Sequence, residues 1–337
     1  GTIMPMFDIK IDFAWRTFKW GNDARANAAV HCVIIGVSSN QVNSSKTIFT
    51  EDGAIPATHI NPYLLDANDV FLTSRSRPLM DVPPMLTGNR PVDGGHLIIE
   101  ANEYQDFIEK EPGALPYIKR LVGSREYING LNRYCLWLVD ISPRELRKMP
   151  LVLERVEQVR KTRAASKDAG ARKLADTPTM FRETINPETA IIVPLTSSEN
   201  RRYIPMGFID ASVIVNNSVT IIPDANLYHF GVLTSNAHMA WMRTVAGRLK
   251  SDYRYSKDIV YNNFVWPDCS PEQAAHIAHT AQGILDARAK YPDETLADLY
   301  DDTAMPYDLR RAHQDNDRAV WEAYGRAWPI SDESACV

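Results

Sequence analysis

Two strand patterns stand at the start of the chain with too little around them to make a domain. Ile9, Ile11, Phe13 and Trp15 alternate with Lys10, Asp12, Ala14 and Arg16, a period of two that lays apolar side chains on one face of a strand. After a turn signal at Gly21-Asn22-Asp23, Val30-His31-Cys32-Val33-Ile34-Ile35 is a continuous apolar run, the pattern of a strand buried on both faces. Two lone strands are marginal in water. They therefore read as the end of something larger that begins before residue 1. Residues 38–58, rich in Ser, Asn, Thr and Gly, read as a loop or linker leading to a separate body.

That body is mixed. Residues 70–72 and 134–139 read as strands, and 103–110 and 115–122 as short helices. Ser142 has the chemistry of an N-cap, with Pro143 at the first helical position and Glu145 at the third; a long helix should run from there to about Leu174. Leu146, Met149, Leu153, Val156 and Val159 supply its apolar stripe. Strand-like segments follow at 190–194, 203–208, 219–222 and 228–233. Thr234 or Ser235 then caps a helix that turns Trp241, Met242, Val245 and Leu249 inward. From about Ser270 the chain is helical, with Ile277, Ile284 and Leu285 on one face of a first helix. A second helix, 306–325, gathers Leu309, Ala312, Ala319, Val320 and Tyr324. The expected class is mixed α/β, divided at 1–50, 51–267 and 268–337.

Hydrophobic residues make up 45% of the 337, which is enough for a sizeable core. No apolar run approaches the roughly 20 residues that span a bilayer. The N-terminus lacks the basic-then-apolar pattern of a signal peptide. Cys32, Cys135, Cys269 and Cys336 lie far apart with no CxxC pair, which fits a reducing cytoplasm. The net charge of −5 is unevenly spread. Residues 268–337 carry 14 acids against 6 bases, a balance of −8 that leaves +3 for the rest. Residues 144–173 hold ten Lys/Arg against four acids, and 243–257 five against one. Such segments suit phosphate, though each also fits a solvated helix face.

Several chemistries lack their residues. A class I methyltransferase needs a Gly-rich turn after its first strand, and no GxG occurs. An amino-methyltransferase loop needs two prolines before an aromatic; Asn61-Pro62-Tyr63 has one and reads better as a turn. The only Asp/Glu-x-Lys string, Asp8-Ile9-Lys10, has no Pro-Asp before it to make a nuclease site. His276 and His279 could face one ion, but a third ligand is missing and a surface pair fits as well. No catalytic and no metal-binding residue is assigned.

Polar chemistry is concentrated elsewhere. Glu199, Asn200, Arg201 and Arg202 sit between strand-like segments and offer carboxylate, amide and guanidinium groups. Those groups read base edges: Arg pairs with guanine, Asn with adenine, and Glu accepts from cytosine. The same string fits a polar hairpin loop with an internal Glu-Arg pair. Lys250, Arg254, Tyr255, Ser256 and Lys257 interleave basic, hydroxyl and aromatic groups suited to phosphates. Arg155, Arg160, Lys161, Arg163 and Lys167 could line a phosphate-facing side of the long helix.

Taken in order, a set of strings resembles the MmeI-like family of fused restriction-modification enzymes. They include Ala14-Trp15-Arg16-Thr17-Phe18-Lys19-Trp20, Ile60-Asn61-Pro62-Tyr63-Leu64, Arg77-Pro78-Leu79, Asp93-Gly94-Gly95 and Tyr134-Cys135-Leu136-Trp137-Leu138. The stretch 198–205, His238-Met239-Ala240-Trp241-Met242-Arg243, and Tyr253-Arg254-Tyr255-Ser256 running into Tyr261-Asn262-Asn263-Phe264-Val265-Trp266-Pro267 complete the set. The resemblance spans nearly the whole chain. It implies terminal strands of a methyltransferase sheet, then an α+β target recognition domain, then a C-terminal helical domain. It also implies duplex DNA as partner, together with the remaining methyltransferase and nuclease parts of a parent chain. S-adenosylmethionine would serve the parent as cofactor, with none held by this fragment. Residues 199–202 resemble the family's specificity-determining loop, which makes Glu199 and Arg201 the leading base readers. The resemblance carries no catalytic residue onto this chain. The alternative is a stand-alone specificity module docking on a separate methyltransferase subunit through the apolar edge at 9–15.

Overall fold

The structure is a computed structural model that describes residues 3–20, 30–39 and 45–331. The turn expected at 21–23, and Cys336, lie outside the described residues. Strand β1 (Lys10–Trp20) pairs antiparallel with β2 (Val30–Ser38), from Lys10 opposite Ser38 to Trp20 opposite Val30. The expected linker is partly sheet: β3 (Lys46–Thr50) lies parallel to β1, and β4 (Gly53–Ala57) returns antiparallel on β3. The β-branched residues of β3 were hidden among Ser and Asn neighbours, and a parallel partner across a crossover leaves no local pattern. Register slips between Ile11 and Phe13 and between Trp15 and Phe18 mark bulges in β1. Ile11 and Ala14 thus share the buried face with Ile48, Ile60 and Leu64, while Phe13 and Trp15 stand 43% and 40% exposed. Val33, Ile34, Ile35 and Val37 on edge strand β2 are also exposed, so the expected burial on both faces is not met among the described residues.

The second body holds strands β5 (Leu86–Thr87), β6 (Ile98–Glu100), β7 (Ile118–Val122), β8 (Arg133–Leu136), β9 (Thr189–Pro194) and β10 (Thr196–Ser197). It continues through β11 (Gly207–Asp210), β12 (Val213–Val215), β13 (Val219–Pro223), β14 (Gly247–Leu249) and β15 (Asp252–Arg254). They form three small sheets, ordered β12-β7-β8-β6, β11-β9-β13-β5 and β10-β15-β14. Strand β9 is interior to its sheet, and its apolar run is divided by the pleat. Ala190 and Ile192 enter one core, Ile191 and Val193 another.

Helices α1 (Ala101–Lys110) and α2 (Pro150–Ala164) cover the sheet of β6, β7, β8 and β12, with Phe107, Val152, Val156 and Val159 against Leu121 and Leu136. The capping box at Ser142 forms as expected, with Glu145 N donating to Ser142 Oγ at 3.2 Å. The single long helix does not form. One turn, Pro143–Leu146, ends before Pro150 opens α2, and Asp168 caps a separate short helix, Ala169–Lys173. Pro150 has no amide proton and crowds the preceding turn, so it starts a helix and cannot continue one. Leu153 faces outward, while Val152, Val156, Val159 and Arg163 form the inner face.

Residues 228–233 are helical, not extended: α3 (Leu227–Leu233) starts at Asn226, whose side chain accepts from Tyr228 N and His229 N. A short all-apolar run is ambiguous by periodicity, and here the Asn cap decided it. A Cβ on Gly231 would stand 2.7 Å from Ile277 Cγ2, so glycine permits the close approach of the C-terminal helices. Residues 70–72 are irregular, 112–117 form a 3-10 turn before β7, and of 203–208 only the last two enter a strand. Helix α4 (Asn236–Val245) is capped by Ser235; Met242 is inside, whereas Leu249, beyond the helix, is exposed. Helices α5 (Pro271–Ala289) and α6 (Tyr307–Ala323) follow. Their Ile277, Ile284, Leu309 and Val320 share one core with Tyr203, Phe230 and Met239 from earlier in the sequence. Among the described residues no helix is long and apolar enough to cross a membrane.

Candidate nucleic-acid interface

Strand β10 pairs with β15, Thr196 opposite Arg254 and Ser197 opposite Tyr253. That pairing joins two segments about 55 residues apart, a spacing local pattern cannot resolve. The polar loop that leaves β10 therefore rises beside the basic and aromatic stretch 250–257. Ser198 shapes the loop: its carbonyl accepts from Arg201 N at 3.1 Å and its Oγ from Asn200 N at 3.3 Å. Glu199, Asn200, Arg201 and Arg202 face an open cleft of about 490 Å³ together with Arg243, Asp302 and Thr303.

Charges in the loop are held in place. Arg248 Nη1 donates to Glu199 Oε2 at 3.3 Å, and its guanidinium lies 4.2 Å from the Tyr253 ring centroid. Glu199 is thus paired with an arginine of β14. Arg202 extends over the Tyr203 ring, and its carbonyl accepts from Arg243 Nη1 at 3.0 Å. Burial pushes the Arg201 guanidinium pKa down, opposed by Asp252 and Asp301. Arginine remains charged under such shifts.

A second cleft of about 550 Å³ opens beside the first, where the N-terminal sheet meets α4. Arg16, Tyr63, Arg243, Thr244 and Arg248 line it. Asn61 Oδ1 accepts from Tyr63 N and Leu65 N, closing a turn whose Leu64 carbonyl accepts from Arg16 Nε at 2.9 Å. The Asn61-Pro62-Tyr63 string is thus the turn expected of it. Arg16, Arg243 and Arg248 were not singled out from the sequence as a group. The density of bases after residue 243 signalled Arg243 and Arg248, but nothing local signalled Arg16, because the approach of β1 is a tertiary contact. Three guanidiniums suit phosphate.

The other sequence-derived candidates divide. Lys250 and Arg254 are exposed near the loop, Ser256 is half-buried, and Lys257 pairs with Asp258 at 2.7 Å. Tyr255 must be corrected: it is buried, with its hydroxyl 2.9 Å from His238 Nε2. Arg163 must be corrected as well. It is 1% exposed and donates to the carbonyls of Pro91, Val92, Leu174, Thr177 and Met180. Arg163 stands four residues after Val159 on the inner face of α2, a spacing that placed it inside all along. Arg155 donates to the His96 and Ile98 carbonyls and shares a depression with Glu100, Glu103 and Glu154, a setting that disfavours phosphate. Arg160, Lys161 and Lys167 are exposed, Arg160 beside Glu157, and none of them lines either cleft. His276 and His279 are both exposed on α5, and no metal-holding cluster occurs among the described residues.

Residues 66–268 match the family described as MmeI, target recognition domain. The chain belongs to that family. Residues 269–335 match the MmeI C-terminal domain, and 2–50 the MmeI DNA-methyltransferase domain. DNA methyltransferase A of Bacillus subtilis (strain 168) is 42% identical over 328 residues, which is 97% of this chain and 37% of that protein. The solved structure of the Type IIL restriction-modification enzyme MmeI in complex with DNA aligns with a TM-score of 0.92 at 42% identity. It covers 99% of this chain and 45% of its own. The chain thus spans less than half the length of these relatives. All three matched regions reach the clefts. Arg16 comes from the methyltransferase match, 199–202 and 243–248 from the recognition match, and Asp302 and Thr303 from the C-terminal match.

Proposed function

We propose that this chain is the sequence-reading part of an N6-adenine DNA methyltransferase in a restriction-modification enzyme, and that it grips duplex DNA across the two clefts. The observation that carries this reading is the Glu-Asn-Arg-Arg set at 199–202 opening onto a cleft edged by Arg243, with Arg16 and Arg248 in the cleft beside it. Glu199, Asn200, Arg201 and Arg202 would contact base edges in the major groove, where all four base pairs are distinguishable. Arg16, Arg243, Lys250 and Arg254 would hold phosphates and fix the register without carrying sequence information. Arg160, Lys161 and Lys167, which line neither cleft, would at most extend the electrostatic footprint.

The parent protein would use S-adenosylmethionine bound outside this chain and would flip one adenine out of the stack, since its amino group cannot be reached within it. The exposed face of Phe13, Trp15 and the β2 apolar run would be covered by the rest of the methyltransferase sheet. The bacterial cytoplasm, where host DNA lies, is the compartment this implies. The test is selection from a randomised duplex pool at two salt concentrations, followed by sequencing of the retained DNA. An enriched asymmetric motif with affinity falling steeply in salt is expected. Retention with no motif, on the full-length chain, would refute base reading.

A further inference from the structure

The reading loop is held from below by the C-terminal helices. Tyr203 follows Arg202 directly and is 1% exposed. Its hydroxyl donates to Asp317 Oδ2 on α6 at 2.6 Å, across 114 residues of sequence. Asp317 Oδ1 accepts from Asn236 N at the start of α4, also at 2.6 Å. His313, one turn earlier on α6, stacks on the Tyr203 ring at 4.1 Å and hydrogen-bonds Tyr300 Oη through Nε2 at 2.8 Å. Farther along the same side, Arg288 of α5 donates to the Met206 carbonyl and to the Tyr300 hydroxyl. The C-terminal side of the loop therefore rests on the C-terminal helices, while its start leaves β10 beside β15.

We propose that Asp317 is a positioning residue for DNA recognition, fixing Tyr203 and through it the guanidiniums of Arg201 and Arg202. This rests on the base-reading role of the loop. A buried carboxylate with two short donors is stiff, because releasing either donor strands charge in a dry core. Its pKa is pushed up to about 6 by burial, against the pull of the Tyr203 hydroxyl and the Asn236 amide. Base contacts depend on angle more than phosphate contacts do, so a loosened Tyr203 should blur selectivity before it weakens binding.

The test uses the full-length chain with Tyr203→Phe, Asp317→Ala and Asp317→Asn. Each is measured on the selected duplex, on duplexes altered at the base pair whose discrimination Arg201→Ala removes, and on unrelated DNA. Tyr203→Phe and Asp317→Ala should lose about ten-fold in discrimination at that base pair while affinity for unrelated DNA stays within about two-fold. Asp317→Asn should restore most of it, since its amide can still accept from Asn236 N and donate to the Tyr203 oxygen. A Tyr203→Phe protein that melts lower yet discriminates like the unmodified one overturns the proposal, as does an equal loss on every duplex. An unmodified protein with no base preference refutes the underlying reading function instead.

Discussion

Replacing Arg163 by Met would separate a structural cation from the DNA-binding ones. Met keeps much of the aliphatic volume but withdraws every donor from five backbone carbonyls. Hydrogen bonds from a charged donor each contribute about 1.5–3 kcal/mol, and orphaned buried acceptors cost about 1–3 kcal/mol. The sum overstates the loss, because the removed guanidinium no longer bears its desolvation cost and some carbonyls at 174–180 can take up water. A net destabilisation of about 3–5 kcal/mol is expected. At about 2–4 °C per kcal/mol, the melting temperature should fall by on the order of 10 °C. Arg163→Lys should fail nearly as badly, since three donors on one nitrogen cannot span five acceptors. The assay is urea and thermal unfolding alongside DNA binding of the folded fraction. Unchanged stability with uniformly weaker DNA binding would refute this placement and return Arg163 to the phosphate contacts.

Four further outcomes are expected. Glu199→Ala or Arg201→Ala should relax specificity at about one base pair, by ~1–3 kcal/mol of discrimination, in competition binding; equal losses on all sequences would remove the base-reading role. Arg16→Met should weaken all sequences alike and reduce the slope of affinity against salt by about 1 in a logarithmic titration, with an unchanged slope counting against phosphate contact. Arg160→Ala should give at most a weaker uniform effect in the same titration, because it lies outside both clefts; a larger loss than Arg16→Met would move the DNA path onto α2. Burial depresses the His238 pKa to about 3, so below the unfolded value of about 6.5 the unfolded chain takes up a proton the folded one refuses. Stability from this group is full above that value and falls by about 1.4 kcal/mol per unit as pH drops toward 3, near 2 kcal/mol at pH 5. His238→Gln should shrink the stability difference between pH 7.5 and pH 5 by about that amount, and an unchanged difference in urea titrations would show that His238 is not the group responsible.

The sequence by itself determined what depends on a few neighbouring residues. The Ser142 and Glu145 cap, the Ser270 and Pro271 helix start and the turn at Asn61 are each closed by atoms within four or five positions. Ordered strings along the chain also carried the family, and the cluster at 199–202 stood out by composition. Tertiary structure decided the rest. Residues 228–233 became a helix because an Asn cap and the bed of α5 outweighed an ambiguous apolar run. Arg163 turned inward because a loop 70 residues earlier supplied carbonyls to meet it. Arg16 joined Arg243 and Arg248 only when β1 reached the recognition body. Asp317 reached Tyr203 across the length of a domain. A side chain's partners are fixed by which elements pack together, and periodicity reports only which face it occupies.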